Sequence, residues 1–382
     1  MLILFMMCIL FVVYVYLGYP LLLWILTRKI EKSYPSTSYQ GDISIVMVVC
    51  NEAKNIREKI ENIMQLNYQG GQLKLIIVDD ASDDNTVELI ETSAFNGTLI
   101  KSKQRKGKAQ GINLAMKQVT TELVTLIDCR QQLELNIINY LSSWFAQDPN
   151  MGAVSGELKF KPLNGNDFSA SMDGYWRYEK FIRKSEAKLG SVAGVTGALY
   201  MLRTKTFLPL AEDTLLDDVL IPMNSCAQGY QIGYDDRAIA WDLPSTSVLN
   251  EKVRKIRTLS GNYQLLFRFP SWITPIGHPI WWQFFSHKIA RLFVPFAIIL
   301  SILCAIKLYL SGSAVAAIYL LLVFTSFLLI PLSQVFPRLL ELKLLKLLQS
   351  FLLLNWFCFL AFYSYFFSTQ VGSWKVNARD SV

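Results

Sequence analysis

The chain has 382 residues, a formal net charge of +7, 52% hydrophobic residues and 18% charged residues, the last below the roughly 25% of ordinary soluble proteins. The length accommodates a large globular domain with further segments, and the positive balance suits an anionic membrane surface or phosphorylated ligands. No Lys/Arg-rich stripe interleaved with aromatics is present, which argues against nucleic acid as a partner, and the scattered Cys8, Cys50, Cys129, Cys226, Cys304 and Cys358 have neither disulfide-framework nor zinc-site spacing.

Met1 to Leu26 carries no charged side chain and is long enough to span a bilayer at roughly 20 residues per crossing. Arg28, Lys29 and Lys32 follow at once, which places that end in the cytoplasm by the positive-inside rule. The stretch lacks a basic start and a small-residue cleavage site, so a retained span is favoured over a removed signal peptide. Pro35 to Gly41 reads as a short polar linker.

From Ile43 to about Leu266 strand and helix patterns alternate, the signature of an α/β domain with a mostly parallel sheet. Ile43–Val49 and Leu73–Val78 read as buried strands around a polar helical segment that opens Asn51-Glu52-Ala53. The second strand stops in acid, Asp79-Asp80-Ala81-Ser82-Asp83-Asp84, at the carboxyl edge where ligands of such sheets bind. Asp83 or Asp84 suits the cap of the next helix. The basic loop Lys101 to Lys108 leads into a helix over Ala109–Gln118, and the strand Leu123–Ile127 again ends in acid, at Asp128. Gly152–Lys159 reads as a strand, Gly174–Leu189 as a helix with aromatic anchors Tyr175, Trp176, Tyr178 and Phe181, and Leu199–Leu202 as a strand after the turn Gly194-Val195-Thr196-Gly197-Ala198. Asp213–Asn224 reads as a helix, and Asn250–Leu266 as another that carries Arg254 and Arg257 on one face.

After Leu266 the composition changes. Trp272, Trp281, Trp282, Phe284 and Phe285 beside His287, Lys288 and Arg291 predict an interfacial segment, and interface anchoring is the expected role of His278 and His287, the chain's two histidines. Three apolar segments follow, at about Leu292–Leu310, Ala314–Gln334 and Leu347–Thr369. Arg338, Lys343 and Lys346 in the second connection put it on the same side as the large domain. The expected organisation is a spanning helix over 1–27, a cytoplasmic domain over 42–270, an interfacial amphipathic segment over 271–291, three spans over 292–371 and a tail over 372–382.

Asn51-Glu52, the run Val78 to Thr86, then Thr196-Gly197-Ala198 and the acid pair Asp217-Asp218 together resemble the membrane-bound family 2 glycosyltransferases of polysaccharide synthesis. The resemblance covers roughly Ile43 to Arg291. It implies an α/β GT-A, Rossmann-like nucleotide-sugar-binding domain flanked by transmembrane α-helices. It further implies that Asp79 and Asp80 hold the uracil and ribose of a UDP-sugar, that Lys108 after Gly107 offsets diphosphate charge, and that Asp218, with Asp217 beside it, is the catalytic base.

Two departures stand out. The family shows two acids separated by one residue, which with the diphosphate hold Mg²⁺ or Mn²⁺; here the triplet is Asp128-Cys129-Arg130. Asp128 remains a candidate metal ligand, whereas a cationic Arg130 cannot ligate and is a candidate partner for the leaving diphosphate. Processive synthases show Gln, two residues, then Arg-Trp; Arg254 and Thr258 replace the Gln and Trp, and Arg257 keeps the Arg, a candidate diphosphate brace.

The expected activity is inverting transfer of a hexosyl or N-acetylhexosaminyl group from a nucleotide sugar, UDP-linked, to a glycan or lipid-linked acceptor. The setting implied is surface polysaccharide or exopolysaccharide synthesis at a bacterial cytoplasmic membrane, among membrane lipids and polysaccharide-assembly partners. The alternatives are transfer onto polyprenyl phosphate and a non-catalytic scaffold that retains the domain. A transporter is disfavoured, because Lys307 is almost alone as an ionisable residue within the apolar segments.

Overall fold

The computed structural model describes residues 1–31, 33–94, 96–161, 167–243, 248–335 and 342–367. Its strands are β1 (Ile43–Val49), β2 (Leu73–Asp79), β3 (Gly97–Lys101), β4 (Leu123–Ile127), β5 (Gln132–Leu133), β6 (Met151–Phe160), β7 (Leu199–Arg203) and β8 (Gln231–Asp242). They form one eight-stranded sheet in the order β3-β2-β1-β4-β7-β6-β8-β5.

All seven residues of β1 are buried, as befits a strand covered on both faces. Ile43, Ile45, Met47 and Val49 enter one core, with α3 (Ile56–Met64) and α6 (Ile137–Gln147). Val46 and Val48 enter the other, with α5 (Lys108–Met116), α8 (Asp217–Ala227) and α9 (Val248–Arg268). The two-residue period of a strand makes this partition.

The chain leaves β1 for β2 and β3 on one side, then returns to place β4 on the other, all parallel. The carboxyl ends of β1 and β4 therefore flank a topological switch point, where a crevice opens. The expected parallel sheet holds for this half. In the other half β7 runs antiparallel to β4 and β6, and β5 antiparallel to β8. The reason is positional: α7 (Asp167–Lys188) returns the chain to the carboxyl edge, where Leu199 at the start of β7 pairs with Ile127 at the end of β4. A strand that starts at that edge can only run back.

The two apolar ends are helical. α1 (Leu2–Val13) and α2 (Tyr19–Thr27) are joined by a π turn over Tyr14–Gly18. At the other end α10 (Trp281–Gln283) passes through a π turn at Phe284–Ile289 into α11 (Ala290–Leu310), followed by α12 (Ala314–Val335) and α13 (Lys343–Phe367). Among the described residues three stretches are long and apolar enough to cross a membrane: Leu2–Thr27, Trp281–Leu310 and Leu345–Phe367; Ala314–Leu329 is a shorter apolar helix. The two π turns face each other, with Tyr14 Oη 2.7 Å from Ser286 Oγ and Trp282 Nε1 donating to Tyr14 Oη at 3.0 Å. Lys32, Arg338, Thr369 and the tail 372–382 lie outside the described residues.

The segment expected to be interfacial is divided. From Trp281 onward it is continuous with the following apolar helix, and both histidines are buried rather than anchored at a surface. His278 Nε2 meets Met223 O at 3.0 Å, while its Nδ1 accepts from Ile280 N at 3.2 Å. His287 lies between Glu186 Oε1 and Glu179 Oε2, each 2.9 Å away. Partners placed far away along the chain draw both rings inside, which local composition does not reveal.

Candidate active site

Four pieces of chain meet at the carboxyl edge. The first is the end of β2. Asp79 and Asp80 are both buried. Asp79 accepts from Ser82 N at 3.1 Å and Ser82 Oγ at 2.5 Å. Asp80 spends one oxygen on Lys106 N, at 2.8 Å, and the other on Gly107 N, at 2.7 Å. Asp80 thus fixes the loop that enters α5. Nearby, the reciprocal pairing of Asn51 and Asp83 ties the loop after β1 to the loop after β2. Asp84 accepts from Thr86 N at 3.0 Å and Ala53 N at 3.2 Å, so it clamps both loops, while Asn85 occupies the cap position of the helix at Thr86–Glu91 without a side-chain bond.

The second piece is that loop and α5. Gly107 sits at φ +85° and ψ 165°, a conformation essentially reserved for glycine. Three residues into the helix, a Cβ on Gly111 would meet Val48 Cγ1 at 2.5 Å. The bare glycine lets α5 lie close on β1, so Lys108 projects over the strand ends. Its ammonium stands 2.8 Å from Asp128 Oδ1 and 3.2 Å from Asp217 Oδ2. Burial alone would lower its pKa, but Asp128, Asp217 and Asp218 together hold it above the ordinary lysine value.

The third piece, the turn before β7, pins the fourth, the start of α8. Gly194 has φ +101°, and Val195 N donates to Asp218 O at 2.9 Å. A Cβ on Gly197 would sit 3.5 Å from Asp218 Oδ2 and 3.7 Å from Lys108 Nζ, so this glycine keeps the space between them open. Asp217 and Asp218 form the first turn of α8, which begins later than the expected Asp213. Asp213 is instead held by Arg268, at 2.7 Å, and by Gln264, outside the helix. Gln264 Oε1 also accepts from Leu215 N at 3.0 Å, and a Cβ on Gly261 would meet Leu216 Cγ at 2.4 Å. Helix α9 therefore braces the approach to the acid pair. Burial first and the Asp217 charge second push the half-buried Asp218 carboxyl up to about 6, against the pull of Lys108, Lys288 and Arg183.

The structure therefore brings Lys108, Asp128, Asp217 and Asp218 into one cluster, with Asp79 and Asp80 on the adjoining edge. It does not gather the expected arginines there. Arg130 is exposed and reaches Asp242 Oδ2 at 3.4 Å, away from the Lys108 ammonium, because Asp242 at the end of β8 lies on the side strand β5 faces. Arg254 pairs with Glu251 at 2.7 Å and lies over Trp176, while Arg257 is exposed on α9.

A divalent cation does not fit the cluster as it is arranged. Asp128 has an arginine where the second acid would be, and an ammonium already occupies its carboxylate at ion-pair distance. No group of three or more His, Cys, Asp or Glu side chains with metal-holding geometry occurs among the described residues. All six cysteines are free and buried.

Sequence reasoning missed the polar groups of α7. Glu179, Arg183 and Glu186 lie on one helical face by their spacing, which was the signal available. Glu179 pairs with Arg291 and His287, and Glu186 accepts from Tyr19 Oη at 2.6 Å. Burial alone would raise both carboxyls; His287 lowers each, with Arg291 the larger influence on Glu179, and both end below the usual range.

A doubly covered parallel sheet that turns mixed beyond its switch point, with an acid-and-lysine cluster at its carboxyl edge, is the GT-A form of the Rossmann-like fold. Residues 44–207, less than half of the chain, match the model of "Glycosyl transferase family 2". The chain is 24% identical over 258 residues to the poly-beta-1,6-N-acetyl-D-glucosamine synthase of Staphylococcus aureus strain COL, covering 66% of this chain and 62% of that protein. The Staphylococcus epidermidis strain ATCC 35984 protein of the same name is 22% identical over 231 residues, 59% of this chain and 56% of that one. The chain thus spans less than two thirds of the length of these curated relatives. In fold it is similar to the mannosyltransferase PcManGT from Pyrobaculum calidifontis, solved with GDP-Man and Mn²⁺, at a TM-score of 0.72 and 20% identity over 96% of this chain and 100% of that one.

Proposed function

We propose that this protein moves a sugar from a nucleotide sugar, UDP-linked, onto an acceptor hydroxyl with inversion, in surface polysaccharide synthesis. The reading rests above all on Asp218, a carboxyl raised to about 6 at the mouth of the crevice, beside the Lys108 ammonium. A base with that pKa is ionised at neutral pH and still accepts a proton readily.

Asp218 takes the acceptor hydroxyl proton as the oxygen forms its bond to the anomeric carbon. The bond to the diphosphate oxygen breaks on the opposite face, so configuration inverts. Lys108, held by Asp128 and Asp217, presents positive charge to the departing diphosphate. Asp79 and Asp80 border the nucleoside end, and Asp80 also sets the loop that carries Lys108. The protein sits in the bacterial cytoplasmic membrane with the sheet domain on the cytoplasmic side, as the basic residues after Thr27 favour.

The names of the staphylococcal relatives make UDP-GlcNAc the first donor to test. Purified protein in detergent, supplied with labelled UDP-GlcNAc, UDP-glucose or GDP-mannose and a membrane lipid extract, should transfer or hydrolyse one of them. The absence of both turnover and nucleotide binding with every donor would defeat the proposal.

A further inference from the structure

Near Asp218 stand two cations that no carboxylate meets at ion-pair distance among the described residues. Arg183 of α7 and Lys288 of the π turn make no ion pair or hydrogen bond with the described residues, and Arg183 Nε is buried without a partner. Asp218 faces both without pairing with either, and three further acids nearby are already engaged. Glu179 faces Arg291 and His287 Nε2, Glu186 faces His287 Nδ1 and Tyr19 Oη, and Glu251 faces Arg254 and Lys255. The helical period puts Arg183 between Glu179 and Glu186, while Lys288 adjoins the His287 that bonds both. Arg183 and Lys288 are thus charged neighbours of one another. Both are only partly exposed, and a like-charged pair in such a place is costly unless something negative arrives to sit between them.

We infer that Arg183 and Lys288 form a phosphate-binding subsite beside the catalytic base, and that its occupant is the phosphate of a lipid-anchored acceptor. This deepens the reading of the site as a transferase and rests on it. Asp218 has Lys108, Arg183 and Lys288 among its charged neighbours, whereas Lys108 is surrounded by Asp128, Asp217 and Asp218. Donor diphosphate drawn by Lys108 and a second phosphate drawn by Arg183 and Lys288 would both lie beside Asp218. Lys288 also lies within the helical stretch Trp281–Leu310, a candidate span. A phosphate held there would have an apolar helix beside it for its lipid chain. An arginine fork and a lysine point charge are a common pairing for a phosphate group.

The test uses the full chain in nanodiscs of phosphatidylcholine doped with polyprenol, polyprenyl phosphate or polyprenyl diphosphate-GlcNAc. Lipid binding and UDP binding are measured separately. Either phosphate lipid is expected to bind more tightly than polyprenol, and Arg183→Gln with Lys288→Gln is expected to weaken that binding about tenfold to a hundredfold, the worth of charged hydrogen bonds. Unchanged UDP affinity in the double variant certifies its fold, and Arg183→Lys, which keeps the charge, recovers part of the lipid affinity. Equal binding of all three lipids would overturn the inference. So would a double variant that loses UDP affinity and keeps lipid affinity, since the pair would then serve the donor. A wild-type protein that binds phosphate lipids but no nucleotide would uphold the subsite and defeat the transferase reading.

Discussion

Gly107 N donates to Asp80 Oδ2 across 2.7 Å, and Lys106 N donates to the other oxygen of the same carboxylate. The acid at the end of β2 thereby sets where α5 begins, and with it the position of Lys108. Asp80→Asn offers an amide group where one backbone N–H now finds an acceptor. Loss of that bond costs about 1–3 kcal/mol, and turnover should fall by more than UDP affinity does. Gly107→Ala forces a side chain into a glycine conformation at a cost of about 1–3 kcal/mol. A lowered midpoint of thermal unfolding, with turnover reduced in parallel, checks it.

Replacement of the base separates chemistry from binding. Asp218→Asn keeps the shape of the first turn of α8 and removes the proton acceptor. Transfer should fall roughly a hundredfold to ten-thousandfold, the usual worth of a general base, with UDP still bound. Wild-type turnover in this variant, measured with labelled donor, would show that the base lies elsewhere.

The acid limb of the pH profile reports the same group. Asp218 protonates near 6, so kcat/KM for the acceptor should decline tenfold per pH unit below that point. The charges that face it are Asp217 on its own helix, Lys108 on α5, Arg183 on α7 and Lys288 on the π turn. Asp217→Asn removes the like charge, lowers the Asp218 pKa and moves the limb to more acid pH. Lys108→Met removes a cation and moves it the other way. A limb that stays in place in both variants would assign it to another group.

Metal dependence follows from the Asp128-Cys129-Arg130 triplet. With the Lys108 ammonium on Asp128, turnover should persist in excess EDTA. Arg130→Asp rebuilds a pair of acids and should create Mn²⁺-dependent UDP binding, seen by calorimetry with and without the ion. Loss of wild-type activity on chelation, restored by Mn²⁺, would show that Lys108 yields its place.

The first half of the sheet was legible because β1, β2 and β4 are mostly apolar runs, the last two stopping at acids, and Leu123–Ile127 is found with the bounds expected. β8 was not. Its run is broken by Asp235-Asp236-Arg237, which bulge out opposite Gly156, with Arg237 Nη2 closing on Asp235 at 2.7 Å. Of the site, Asp128, Lys108 and the pair Asp217-Asp218 were legible as acids and a lysine at element ends. Their meeting was not, because it depends on the close approach that Gly111 permits. Arg130 misled because its neighbour in the sequence faces the crevice while its own partner, Asp242, comes from a strand the sequence concealed. The role of α9 also escaped notice, since Gly261 and Gln264 look ordinary until Leu215 and Leu216 lie against them.

That helix has a further consequence. Gly261 lies under Leu216, and the adjacent Ser260 Oγ donates to Ala361 O of α13 at 3.3 Å. One helix diameter is all that separates the acid pair from an apolar helix built to meet lipid. The tilt of a helix in a bilayer follows the thickness around it, and α9 is the element through which a tilt of α13 would reach the stretch that leads into Asp217 and Asp218. The sheet domain excised from its apolar helices would lose the contact that backs α9 where it meets Leu215 and Leu216.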